Sequence, residues 1–213
     1  MALLLTWWRR IVELDRQVRT EGWGHPVKPV YRLEGKTLGI LGMGRMGQAL
    51  AVRARGFGLK LLGYDPYIPP TVFVAFGVES VGLEELLRAS DIVAIHSLLS
   101  AETRGMICER TLRLMKPSAL IVNTARGGII RTDDLVRALR EGWIAGAALD
   151  VTDPEPLPLD HPLRALPRVL LTPHAAWYSE EAEPELRRRA ARTIVQALRG
   201  ERPATLLNPE VCG

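Results

Sequence analysis

The chain has 213 residues, a formal net charge of +4, 47% hydrophobic and 24% charged residues, which is ordinary for a globular core and excludes a disordered or low-complexity chain. No apolar run approaches bilayer length, so no membrane span is expected. The densest basic run, Arg187-Arg188-Arg189, follows Glu180, Glu181, Glu183 and Glu185 and reads as a solvated helix face, so nucleic acid is not expected as a partner.

The first segment predicts one amphipathic helix. Leu4, Trp7, Trp8, Ile11, Leu14 and Val18 recur at steps of three and four, and Gly22, Gly24 and Pro26 end it. Its arginines follow the apolar run and the pattern continues past them, which argues against a signal peptide and for a stripe buried on protein. Residues 22–35 read as loop. Strands are then predicted at 37–41, 59–65, 78–81, 91–98, 118–125, 144–151 and 168–174. Helices are predicted at 44–58, 83–90, 109–115, 132–142 and 180–199, with Thr132 as the N-cap of the fourth and Pro184 within the first turn of the last. Strands rich in Val, Ile and Leu without clean alternation, separated by helices, predict a doubly wound α/β fold around a parallel sheet. In such a fold ligands bind beyond the carboxyl ends of the strands.

The first strand runs into "GMGRMG", a GxGxxG of Gly42, Gly44 and Gly47 before a helix. Gly42 suits the tight turn, Gly44 lets a pyrophosphate approach the backbone, and Gly47 lets the helix pack closely, with its N-terminus towards the phosphates. The second strand ends at Asp65, eighteen residues after Gly47, where a carboxylate accepts hydrogen bonds from ribose hydroxyls and repels a 2′-phosphate. That pattern points to NAD and not NADP. Three later strand ends carry reactive side chains: Arg126 in "NTARGG", Asp150 and Glu155 in "LDVTDPEP", and His174 in "LTPHAAW". An arginine can hold a carboxylate or polarise a carbonyl. A histidine can exchange a proton near neutral pH, and a carboxylate hydrogen-bonded to it would fix its tautomer and favour its acid form. His96, at another strand end, reads as structural. The two cysteines, Cys108 and Cys212, match no metal or CxxC spacing, so no metal is expected and a reduced cytoplasmic compartment is.

Those motifs, in that order from "LEGKTLGILGMGRMGQAL" to "LLTPHAAWYSEEA", resemble the D-isomer-specific 2-hydroxyacid dehydrogenases over about 35 to 205. The wording "TPHAAWYSE" is similar to the C-terminal binding protein corepressors, NAD-binding relatives of those enzymes. The resemblance implies that Arg126 binds the substrate carboxylate and carbonyl, and that Glu155 and His174 form an acid–base pair with His174 as proton donor. It implies that Arg45 and Met46 meet the pyrophosphate by their backbone, and that Ser97, Leu98 and Thr103 line the adenosine and phosphate side. Thr124 and Ala125 would contact the nicotinamide side, Asp150 would hold its carboxamide, Ala176 would join the cofactor contacts, and Trp177 would border the substrate.

It also implies an organisation. Residues 1–22 would be an interdomain and dimer-contact helix, 23–175 the NAD-binding domain, and 176–213 a helix and tail returning to a substrate domain. That substrate domain is expected upstream of Met1 and outside this chain, so NAD(H) binding with weak turnover is expected of the chain alone. The expected activity is reversible reduction of small 2-keto acids to D-2-hydroxy acids, in a homodimer. The alternative is an NAD(H)-binding scaffold, corepressor-like, without required catalysis.

Overall fold

In the computed structural model, residues 1–24, 29–203, 206 and 208 are described, so Pro26 and Cys212 lie outside the described residues. The chain forms two compact units, 1–174 and 175–213.

The first unit opens with α1 (Ala2–Trp8) and α2 (Ile11–Glu21), followed by β1 (Thr37–Leu41), α3 (Arg45–Arg55), β2 (Lys60–Tyr64) and α4 (Pro70–Ala75). Then come β3 (Glu79–Ser80), α5 (Leu83–Ala89), β4 (Ile92–Ile95), α6 (Glu109–Leu112), β5 (Leu120–Asn123), α7 (Thr132–Glu141), β6 (Gly146–Leu149) and β7 (Val169–Leu171). The second unit holds α8 (Ala182–Leu198), with Pro184 in its first turn.

All seven strands are parallel, in the order β3-β2-β1-β4-β5-β6-β7. Strand residues alternate between two apolar layers. On β4, Val93 and Ile95 join Leu86 and Leu87 of α5, Leu112 of α6 and Leu135 of α7. Ile92 and Ala94 face the opposite layer, with Leu4 and Trp8 of α1, Leu50 and Ala54 of α3 and Phe73 of α4. Both faces being covered, the strands carry apolar residues without alternation, as predicted.

The order in which successive strands are added reverses between β1 and β4, which opens a crevice at their carboxyl ends. The register aligns those ends in one row: Leu41 pairs with Tyr64 and Ile95, Asn123 with Ile95 and Leu149, and Leu149 with Leu171. Every motif named above therefore leaves the sheet at the same level.

Several local expectations are corrected. The predicted first helix is two, because Arg10 adopts a left-handed conformation (φ 54°) between them. Its guanidinium holds the Pro29 carbonyl (3.2 Å) and Glu13 (2.6 Å). Only α1 is buried on the sheet. Trp7 donates to the Arg168 carbonyl (2.9 Å), and its ring lies where a Cβ on Gly146 would meet it at 2.3 Å. Trp8 donates to the Arg32 carbonyl (3.2 Å), whereas Ile11 and Val18 of α2 are exposed. Thr132 is not the cap of α7: Arg131 holds that position, and the Thr132 hydroxyl donates instead to the Asp153 carbonyl (2.6 Å). Helix α4 was not expected. Pro69 and Pro70 begin it, and its one buried residue, Phe73, closes the layer beside Val78.

Candidate active site

The β1–α3 turn is built by close backbone approach. Gly42 has φ +97°, and a Cβ there would lie 2.5 Å from the Ser97 nitrogen, so the turn needs glycine for both conformation and space. A Cβ on Gly47 would lie 2.1 Å from the Gly42 carbonyl oxygen. Helix α3 starts at Arg45 with no side-chain cap, which leaves first-turn N–H groups directed out of the turn. Asp65, just past β2, ties this turn down. Its Oδ2 accepts from the Met43 N–H (2.9 Å) and its Oδ1 from the Tyr67 N–H (3.0 Å). On the other side of the turn, the loop after β4 is folded by Thr103, whose hydroxyl donates to the Leu98 carbonyl (2.6 Å) and accepts from the Ser100 N–H (2.8 Å). The Tyr67 hydroxyl donates to Glu102 and so joins the two flanking loops. A tight turn, an uncapped helix start and a carboxylate at the next strand end fit a dinucleotide.

His96 begins the loop after β4, and burial pushes it down to about 4, so it stays neutral.

The ends of β5, β6 and β7 carry the reactive groups. Asn123 is fully buried at the end of β5; its side chain donates to the Arg126 carbonyl (2.9 Å) and accepts from the Ala125 N–H (3.0 Å). That amide folds residues 124–126 back on themselves and leaves Arg126 exposed, with one guanidinium N–H on the Ala125 carbonyl (2.7 Å). The next residue presses on the neighbouring loop: a Cβ on Gly127 would lie 1.9 Å from the Thr152 carbonyl oxygen. The Arg126 loop is thus seated against the loop that carries Glu155.

His174 follows β7 with φ 53°, a strained value for a residue with a side chain. Its N–H is held by the Asp150 carbonyl (2.8 Å) and the Thr172 carbonyl (3.1 Å). The imidazole lies against Glu155, with Nδ1 2.6 Å from Glu155 Oε1. The Nδ1–H donates to the carboxylate, so Nε2 is the nitrogen left for chemistry. The Asp150 side chain is buried and accepts from the Thr172 hydroxyl (2.5 Å). Asp150, Thr152, Glu155, Thr172 and His174 line a cleft of about 490 Å3.

The family model for the NAD binding domain of the D-isomer specific 2-hydroxyacid dehydrogenases matches residues 1–176. The chain belongs to that family. It is 47% identical to the glyoxylate reductase of Korarchaeum cryptofilum over 99% of its own length and 64% of that protein's. Among solved structures it is similar to the TT0316 protein of Thermus thermophilus, with a TM-score of 0.87 at 40% identity over 95% of this chain and 64% of that one. It is likewise similar to the D-lactate dehydrogenase of Lactobacillus jensenii solved with NAD+, with a TM-score of 0.87 at 26% identity over 97% of this chain and 66% of that one. The chain thus spans about 64% of the length of the first of these 2-hydroxyacid dehydrogenases.

Within the first unit the structure brings Glu155 and His174 into contact and seats the Arg126 loop beside the loop that carries Glu155. Gly42, Gly44, Arg45, Met46 and Gly47 sit at one side of the switch point with Asp65, and Ser97, Leu98 and Thr103 at the other. Ala176 and Trp177 belong to the second unit, where the Trp177 ring meets Tyr178 edge-on. Sequence reasoning passed over Asn123 and Thr172, which shape the site from within. Their signal was a polar residue at the end of an otherwise apolar strand; Asn123 is fully buried there, where burial demands a hydrogen-bonding task, and Thr172 is half-buried.

Proposed function

We propose that this chain is the nucleotide-binding and proton-donating part of an NADH-dependent reductase of small 2-keto acids. The observation that carries the reading is the Glu155–His174 contact at 2.6 Å, on a histidine held in a strained conformation at a strand end. Arg126 holds the substrate carboxylate by its planar guanidinium in this reading and polarises the adjacent carbonyl. Bound NADH supplies the hydride. His174 delivers a proton from Nε2 to the keto oxygen, while Glu155 holds Nδ1–H, orients the ring and stabilises the imidazolium from which that proton leaves. The same groups run in reverse when a D-2-hydroxy acid is oxidised. Asp65 favours NADH over NADPH at the ribose.

Turnover by the chain alone is expected to be weak. The His174 and Glu155 side chains are 39% and 44% exposed, so water reaches the pair and the surrounding charges are screened. NADH oxidation measured against glyoxylate, pyruvate, hydroxypyruvate and phenylpyruvate tests the assignment, with His174→Ala as control. Activity that survives His174→Ala removes the proposed acid. The scaffold reading is not favoured, since the named relatives are a reductase and a dehydrogenase and the acid–base pair is intact here.

The protein is further read as a cytoplasmic homodimer. The support for the dimer is the surface of α2, where Ile11, Val12 and Val18 are exposed, together with Trp23 just past it. Light scattering at micromolar concentration tests it, and a monomeric mass overturns it.

A further inference from the structure

We propose that Tyr67 and Glu102 form a clasp across the mouth of the β1–α3 turn that holds the adenosine half of the dinucleotide and helps select against a 2′-phosphate. The inference rests on the reading above that the turn binds NADH.

The sheet order sets the geometry. Strand β1 lies between β2 and β4, and the three end in register at Tyr64, Leu41 and Ile95. Tyr67 follows β2 and Glu102 follows β4, so the bond from the phenol to the carboxylate must cross the end of β1, where the glycine turn opens. The clasp is also tied to the turn from below. Asp65 accepts from the Met43 N–H of the glycine turn with one oxygen and from the Tyr67 N–H with the other. A continuous chain of hydrogen bonds therefore runs from the glycine turn through Asp65 and Tyr67 to Glu102, and it links the three loops that flank the switch point.

The chemistry suits an adenosine. Tyr67 is 73% exposed, and its ring is an aromatic surface on which a base can stack. The hydrogen bond to Glu102 holds the Tyr67 phenol protonated above its ordinary range, so the ring stays neutral and keeps donating. Glu102, on the loop after β4, brings a second carboxylate to the mouth of the turn, across from Asp65 on the loop after β2. A 2′-phosphate would face both, whereas ribose hydroxyls can donate to either. Neither residue touches the reacting atoms, so both are positioning residues.

Stopped-flow fluorescence of NADH with the full chain tests the clasp, using Tyr67→Phe, Tyr67→Ala and Glu102→Gln. Tyr67→Phe removes the charge-assisted hydrogen bond and Glu102→Gln weakens it to a neutral one; the first should speed NADH dissociation by roughly threefold to tenfold and the second by less, with association little changed. Tyr67→Ala, which also loses the stacking face, should speed it further. Affinity for ADP-ribose, which has the adenosine but no nicotinamide, should fall in step. The ratio of NADPH to NADH affinity should rise in Glu102→Gln and stay put in Tyr67→Phe, a split that a merely structural role would not produce. NADH dissociation unchanged in both conservative variants overturns the clasp alone. A wild-type chain that binds neither NADH nor ADP-ribose overturns the proposed function and the clasp with it.

Discussion

The two halves of the sheet's carboxyl edge are built differently. Around β1, β2 and β4 the site is mostly main chain: Gly42 and Gly47 approach other backbone so closely that a single added methyl would collide, and the Asp65 carboxylate is held by two N–H groups. Around β5, β6 and β7 the buried Asn123 and Asp150 and the half-buried Thr172 support Arg126 and Glu155, which are exposed, and His174, which is half-buried. The first half is organised within this chain and needs no cover to keep its shape. The second holds the right groups in partial exposure to water, where electrostatic catalysis is weakest. Nucleotide binding and turnover should therefore respond separately to change.

The largest expected effect is on the half proposed to carry the chemistry. His174→Ala should lower keto-acid turnover by about 10²- to 10⁴-fold while NADH affinity, followed by fluorescence titration, stays near wild type. An equal loss of NADH affinity would break the separation of the halves. Gly47→Ala should do the opposite. With 2.1 Å to the Gly42 oxygen the turn must shift, at about 1–3 kcal/mol, and NADH titration should show weaker binding along with a lower urea midpoint. Asp65→Ala should weaken NADH binding by about tenfold or more, since it removes a charged acceptor from the ribose and releases the Met43 N–H. NADPH binding should fall much less, because a repulsive charge goes too. Equal wild-type affinity for NADH and NADPH would sink the ribose argument.

The smallest effect sharpens the contrast in burial. His96 sits on the nucleotide half, and burial depresses it to about 4 from an ordinary 6.5. Above the ordinary value the imidazole is neutral in both folded and unfolded chains and contributes no pH dependence. As pH falls towards about 4, the unfolded chain takes up a proton that the folded chain refuses, so stability drops. Between about pH 7 and 5.5 the loss should be about 1 kcal/mol in urea unfolding. His96→Gln should remove that part of the slope; an unchanged slope would mean that other groups carry it.

How far the site could be read from sequence follows the same division. The glycine turn, Asp65, Arg126, Glu155 and His174 were legible because each sits at a strand end, where topology dictates that ligands bind. The pairing of Glu155 with His174 was a conditional expectation, since 19 residues separate them and only the β6–β7 register closes that gap. Tyr67–Glu102 was not legible at all. The two are 35 residues apart on loops with no marked composition, and the bond exists only because β1 lies between β2 and β4. The break at Arg10 escaped for a related reason. The apolar spacing of residues 4–18 suits a continuous helix, and a left-handed arginine is stabilised by partners, the Pro29 carbonyl among them, that helical periodicity does not reveal.

By itself, the sequence determined the order and type of nearly every element, the parallel sheet, the glycine turn after β1, and the position of Arg126, Glu155 and His174 near strand ends. These follow from short-range rules: apolar runs without alternation, glycines at a turn and helix, and polar residues where strands stop. The tertiary structure alone decided which half of the first segment is buried, how Asn123 and Gly127 seat Arg126, which imidazole nitrogen is left for substrate, and what crosses the mouth of the nucleotide turn. Each of these depends on which strands are neighbours and in what register, a long-range property that no local pattern along the chain records.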